Sequence, residues 1–345
     1  MKYKKLGTTD LDVSLICLGT MTWGTQNTER EAFEQMDYSL GQGVNFFDTA
    51  ELYSVPPNSD SYGKTEEIIG NWFKIRNNRE KIVLASKVVG PGCSWIRKGK
   101  NNFSKKKIEE AIDGSLKRLK TDYIDLYQLH WPERTTNNFG KQDFKEDNNE
   151  NDWNSFESIL EALEKFIKNG KIRFIGISNE TPYGLTKFLE LSSSKKLPRM
   201  ESVQNPYNLV NRTYEIGMSE ISIREKCGLL AYYPLAAGAL SGKYRNGQKP
   251  KNARMTLFRG WDRCLNPRAL KAYDEYFKIA NDFDLTMVQL AQAFVNSRSF
   301  VTSNIIGATT MDQLKENIES INIEFTDEMM KRVNEIHNNN PNPSP

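Results

Sequence analysis

Eight short apolar segments recur along this chain of 345 residues: VSLICLGT, VNFFDTA, KIVLASKV, YIDLYQLH, IRFIGISN, SVQNPY, GLLAYYPL and SNIIGAT. A run such as VNFF is apolar on consecutive residues, which marks a strand buried on both faces, as in a parallel sheet. Most of the eight are separated by helical patterns, the signature of repeated βα units. In the first such helix Thr28 and Glu31 form a capping box, Phe33, Met36 and Leu40 share one face, and Gly43 ends the helix. Another helix begins near Ser104 and aligns Ile108, Ile112, Leu116 and Leu119 beneath an outer face of Lys and Glu. Eight units argue for an α/β fold closed as a (β/α)8 TIM barrel over an open doubly wound sheet, and no GxGxxG follows any strand.

The segments flanking this rhythm define the rest of the architecture. KYKKLG and LDVSLI straddle a TTD turn region and predict an N-terminal β-hairpin that plugs the bottom of the barrel. Residues 133–154, rich in Asn, Asp, Glu and Lys, directly follow the strand ending at His130, which predicts a mobile loop at the C-terminal rim. Residues 243–268 form a second, more basic excursion. A single barrel domain is expected over residues 1–337, with residues 338–345 as a flexible tail.

Composition narrows the function. The formal net charge is only +3, which calls for neither a nucleic-acid nor a membrane partner. Cys17, Cys93, Cys227 and Cys264 form no CxxC pair and the chain has 2 histidines, so neither a disulfide framework nor a zinc or other metal site is supported. The opening MKYKKLGTTDLDVS lacks the apolar core of a signal peptide, and LLAYYPLAAGAL is about half the ~20 residues of a spanning helix. These features predict a soluble, cytoplasmic protein.

In a barrel of this kind, chemistry belongs where the strands finish. The second strand ends on Asp48, the third on Lys87 and the fourth on His130, while Tyr53 lies just past the second. Three consecutive apolar strands each closing on an ionisable group read as one site. Lowering a phenol from about 10 to about 7 requires roughly 4 kcal/mol of preference for the phenolate. One ammonium at ~4 Å and an effective dielectric of ~20 contributes about that much, so Lys87 beside Tyr53 is expected to bring it near neutrality. Asp48 would keep a buried Lys87 charged. His130 would donate a hydrogen bond to a carbonyl oxygen turning negative, a set suited to carbonyl reduction by an external hydride donor.

These motifs resemble those of the aldo-keto reductases. Asp48 and Tyr53 in FDTAELY, Lys87 in LASK and His130 in YQLHWP stand where that family has its Asp, Tyr, Lys and His tetrad. The likeness runs from LGT in the first strand to IIGATTMDQLKENI, nearly the whole chain, and is strongest to the bacterial Tas-type branch through GTMTWGTQN, AELYSVPP and QNPYNLVNR. It implies NADPH-dependent reduction of an aldehyde or ketone, with Tyr53 as general acid. Gly19, Thr20, Met21 and Asp48 fall at cofactor positions. Ser178, Asn179 and Gln204 resemble contacts to the nicotinamide carboxamide, and Tyr232 the aromatic on which the ring stacks. Tyr233, Pro234, Leu235, Ala236 and Ala237, with Lys243 and Arg254, match the loop over the pyrophosphate, and Gly307, Thr309, Gln313 and Asn317 match the phosphate and adenine segment. Gln313 stands where many members have an Arg for the 2′-phosphate, so NADP selection rests on Thr309, Lys243 and Arg254, and NADH use stays open. Trp23, Trp131 and Trp261 are candidates for the substrate pocket.

Two other classes compete. A slow, cofactor-sensing binding protein resembling potassium-channel beta subunits would share the cofactor loops, but those proteins carry Asn at the position of His130. A class I aldolase would use Lys87 as a Schiff base and leave Tyr53 and Gln204 unexplained. The physiological carbonyl and the oligomeric state have no sequence signal.

Overall fold

The computed structural model describes residues 1–99, 101–147, 152–258 and 262–345. Among these described residues there are ten strands: β1 (Tyr3–Lys5), β2 (Asp12–Ser14), β3 (Ile16–Gly19), β4 (Phe46–Asp48), β5 (Val83–Val88), β6 (Ile124–Leu129), β7 (Ile172–Ser178), β8 (Met200–Pro206), β9 (Gly228–Tyr232) and β10 (Val301–Ile306). The last eight form a closed parallel barrel in which β10 pairs with β3. Around it lie α1 (Glu29–Gly41), α2 (Lys64–Arg76), α3 (Lys105–Leu119), α4 (Phe156–Lys168), α5 (Pro182–Lys195), α6 (Met218–Arg224), α7 (Arg254–Leu257), α8 (Pro267–Asp282), α9 (Met287–Asn296), α10 (Met311–Glu319) and α11 (Asp327–Asn339). The Thr28–Glu31 capping box starts α1, and Ser104 is the N-cap of α3.

Strand alternation sorts the apolar residues into two cores. Phe47, Leu84, Tyr127 and Leu129 point outward beneath the helices. Cys17, Phe46, Ala85, Leu126 and Leu230 point inward and pack with Leu6, Leu11 and Val13 of the hairpin. That hairpin, β1 paired antiparallel to β2, closes the end where the strands begin: Ser14 N–H donates to Asn45 Oδ1 at 2.8 Å and Thr8 N–H to Glu201 Oε2 at 2.7 Å. The expected plug is therefore present. Two residues further along the same inward faces, Phe46 gives way to Asp48, Ala85 to Lys87 and Leu126 to Gln128. The interior thus changes from apolar to polar toward the C-terminal rim.

Both flanking segments make contacts with the body of the fold. Residues 338–345 are held to the body: Ser344 N–H donates to Val210 O at 3.1 Å, Asn342 Oδ1 accepts from Arg212 N–H at 2.6 Å, and the Pro341 and Pro343 carbonyls accept from Arg268 and Asn266. A proline lacks a donor but keeps its acceptor, so a Pro- and Asn-rich tail can be pinned through carbonyls. The rim segment after His130 is tied at both ends, where Glu133 accepts from Asn154 N–H at 2.8 Å and Arg134 pairs with Glu180. Among the described residues no helix is long and apolar enough to cross a membrane.

Leu6→Ala, which empties part of the plug, is expected to destabilise the fold by about 2–5 kcal/mol, read as a lower urea midpoint at unchanged slope. An unchanged midpoint would show that the hairpin packs loosely.

Candidate active site

Register places the tetrad. Asp48 ends β4, Lys87 lies on β5 opposite Gln128 of β6, and His130 follows β6 directly. Lys87 is fully enclosed, and its Nζ donates to Asp48 Oδ2 at 2.6 Å, to Thr49 O at 2.8 Å and to Tyr53 Oη at 3.5 Å. The second oxygen of Asp48 accepts from Gln204 Nε2 at 2.8 Å and Gln128 Nε2 at 3.2 Å. Tyr53 meets His130 edge to face with ring centroids 5.8 Å apart. All four residues therefore meet at one end of the barrel.

Burial sets the protonation states more strongly than the pairwise estimate from sequence allowed. It pushes the Tyr53 phenol above the usual tyrosine range; Lys87 pulls it back, Asp48 adds to the rise, and the balance stays upward. The expectation of a phenol near neutrality is thus corrected, because desolvation of the phenolate exceeds the relief that Lys87 provides. Burial also works against the Lys87 charge, but Asp48 and Tyr53 outweigh it and hold the ammonium above the usual lysine range. An enclosed, protonated amine is not a Schiff-base nucleophile. Burial, with the Lys87 charge, holds His130 well below the usual imidazole range, so the ring is neutral at pH 7.

A cavity of about 910 Å³ opens above this group. Gly19, Thr20, Met21, Asp48, Tyr53 and His130 line its floor and near wall. Ser178, Asn179, Gln204, Tyr232 and Tyr233 also line it, with their polar atoms engaged: Ser178 Oγ donates to Gln204 O at 2.8 Å, and Tyr232 Oη donates to Asn179 Oδ1 at 2.6 Å. Pro234, Leu235, Ala237, Lys243 and Arg254 contribute another side, and Gly307, Thr309, Gln313 and Asn317 a further one. Ala236 does not reach the cavity and is fully buried. Trp131 lines it, but Trp23 does not: that ring is fully buried and its indole N–H donates to Gln35 Oε1 at 3.0 Å. A position near the rim does not fix the direction of a side chain. Trp261 lies outside the described residues.

The lining fits a polyanionic, aromatic cofactor. Burial lowers both Lys243 and Arg254 below their usual ranges, and for Lys243 the nearby Arg254 charge adds to the effect. An anion beside these cations would relieve that cost. Gly238, with φ +90°, lets Lys243 approach so closely that an added Cβ would sit 2.9 Å from Nζ. Thr309 and Thr310 stand at the N-terminus of α10, where amide N–H groups favour a phosphate. Gln313 is turned inward to the loop instead, its Oε1 accepting from Thr309 N–H at 3.0 Å.

Two supporting residues were not singled out in the sequence. Gln128, in YQLH, lies two positions before His130 on the same strand face, so the period of two points to it. Glu51, in AELY, is fully buried and accepts from Val89 N–H at 2.7 Å and Tyr62 Oη at 3.0 Å while pairing with Arg97. It ties the loop bearing Tyr53 to the segment after β5. Its charge next to a buried tyrosine and arginine left no trace in strand periodicity.

The fold and this rim constellation define a barrel oxidoreductase. The Aldo/keto reductase family model matches residues 15–338, and the chain belongs to that family. It is 43% identical to Protein tas of Escherichia coli over 353 residues, covering 100% of both chains. It is 33% identical to an uncharacterized oxidoreductase, YrpG, of Bacillus subtilis, covering 97% of this chain and 96% of that one. A probable voltage-gated potassium channel subunit beta of Oryza sativa is 29% identical, with 99% and 98% covered.

Lys87→Met leaves the Asp48 carboxylate buried without its cation and is expected to destabilise the protein by about 3–5 kcal/mol. The double variant Lys87→Met/Asp48→Asn should cost less than the sum of the two single changes in a denaturation cycle. Additive losses would mean that the two groups do not depend on each other.

Proposed function

We propose that the protein reduces an aldehyde or ketone to an alcohol with NADPH, Tyr53 supplying the proton. The observation that carries this is the Tyr53 hydroxyl held 3.5 Å from an ammonium that is itself locked by Asp48, on the floor of an open cavity. NADPH, when bound in this cavity, would supply the hydride for the carbonyl carbon. The neutral His130 ring can donate one N–H toward the carbonyl oxygen, and Tyr53, still protonated at pH 7, can pass its proton to the oxygen as charge develops there. Lys87 steadies the phenolate that results. Tyr232 offers a ring for stacking, and Lys243, Arg254 and Thr309 carry the preference for NADPH over NADH. We place the reaction in the cytoplasm, where free thiols such as Cys17 and Cys227 stay reduced.

The retained His130 favours turnover over the slow, cofactor-sensing role that the likeness to potassium-channel beta subunits suggests as a second reading.

Tyr53→Phe is expected to lower kcat for carbonyl reduction by about 10²–10⁴ while changing NADPH affinity only slightly, since the ring remains. Parental turnover would remove Tyr53 from the proton step. Because the phenol lies above its usual range, reduction should hold level from pH 6 to 9. Oxidation of the alcohol, which needs the phenolate, should still be rising at pH 10. An oxidation limb that levels off near pH 7 would contradict this.

A further inference from the structure

Away from the tetrad, the cavity meets residues that the reduction described above does not use. Trp131 follows His130, with ring centroids 4.9 Å apart, and Phe139 meets Trp131 edge to face at 6.0 Å. The Trp131 indole N–H donates to Pro91 O at 3.0 Å, so Trp131 presents a ring and no free donor. Phe139 is 50% exposed and has φ +52°, a left-handed backbone that a bulky side chain rarely adopts. Strain of this kind concentrates at binding sites and persists only where neighbours impose it.

The neighbour is Arg263. Its Nη1 donates to the Phe139 carbonyl, and its guanidinium lies 5.7 Å from the Tyr233 ring centroid. Arg263, Trp131, Phe139 and Tyr233 all line the same cavity as Tyr53 and His130. Among the described residues the Arg263 guanidinium donates to a carbonyl oxygen and lies over an aromatic face. A guanidinium carries five N–H donors in a planar fork, so one bond to Phe139 leaves others to meet a planar anion.

We infer that the carbonyl substrate carries a carboxylate on an apolar or aromatic body. Arg263 receives the carboxylate, Trp131 and Phe139 flank the body, and the carbonyl lies toward Tyr53 and His130. This inference rests on the carbonyl reduction proposed above. The bond from Arg263 to Phe139 gives the cation a second task, because the residue that recognises the anion also holds the aromatic wall in place.

The test compares 4-carboxybenzaldehyde with its neutral isostere 4-formylbenzamide, following NADPH oxidation by the purified full-length protein. The expected kcat/KM ratio is about ten in favour of the carboxylate at low ionic strength, narrowing as salt is raised. In Arg263→Gln the ratio should fall toward one, and Arg263→Lys should keep part of it, because a point charge replaces the fork. Equal kcat/KM for the two aldehydes in the parent protein, or a ratio that survives Arg263→Gln, would overturn the inference while leaving carbonyl reduction intact. Failure to turn over either aldehyde, or any other carbonyl, with NADPH still bound would remove the reductase reading and this inference with it.

Discussion

One buried ion pair organises the site. Lys87 and Asp48 sit 2.6 Å apart inside the barrel, Lys87 fully buried and Asp48 just beneath the cavity. Two charges in such a place are tolerable only when the remaining donors and acceptors are also met. Thr49 O and Tyr53 Oη accept from the ammonium, and Gln128 and Gln204 donate to the carboxylate. Thr49 and Tyr53 follow β4, Gln128 lies on β6 and Gln204 on β8, so with Lys87 on β5 the pair fixes the relative positions of β4, β5, β6 and β8 at the rim. The apolar plug at the other end frees the rim to be polar.

The same pair explains a division of labour among protonation states. Desolvation raises the phenol, holds the imidazole neutral, and is outweighed at the amine by Asp48 and Tyr53. The result is a neutral acid and a neutral donor beside a fixed cation. That set can protonate an alkoxide without first acquiring or losing a proton. Above it the cavity is rich in cations, with Lys243, Arg254 and Arg263 supplied by the excursion after β9 and not by the strands. Rigid barrel ends thus carry the proton chemistry, and the long loops carry the groups that would recognise charged ligands.

Much of this was legible in the residues alone. Eight apolar runs foretold the barrel, and strand ends at Asp48, Lys87 and His130 foretold that these side chains meet at the rim, because both follow from strand periodicity and the convergence of strand ends. What escaped depends on packing in three dimensions. The protonation of Tyr53 turned on desolvation, which a pairwise charge estimate omits. Trp23 points into the core and not the cavity, since its indole found Gln35 on α1. The contacts of the tail, whose Pro341 and Pro343 carbonyls accept from Arg268 and Asn266, had no sequence signal. Gln128 was recoverable from its spacing to His130, whereas Glu51 becomes meaningful only once Arg97 and Tyr62 arrive from distant segments.

The central claim is that the Lys87 charge tempers an otherwise strongly disfavoured phenolate at Tyr53. The most direct measurement is an NMR titration of Tyr53, labelled with carbon-13 at Cζ and assigned by comparison with Tyr53→Phe, in the parent protein and in Lys87→Met/Asp48→Asn. The account predicts that the parent midpoint lies above the usual tyrosine range and that removing the pair moves it further into alkali. A midpoint that stays in place or moves toward neutrality in the double variant would contradict it.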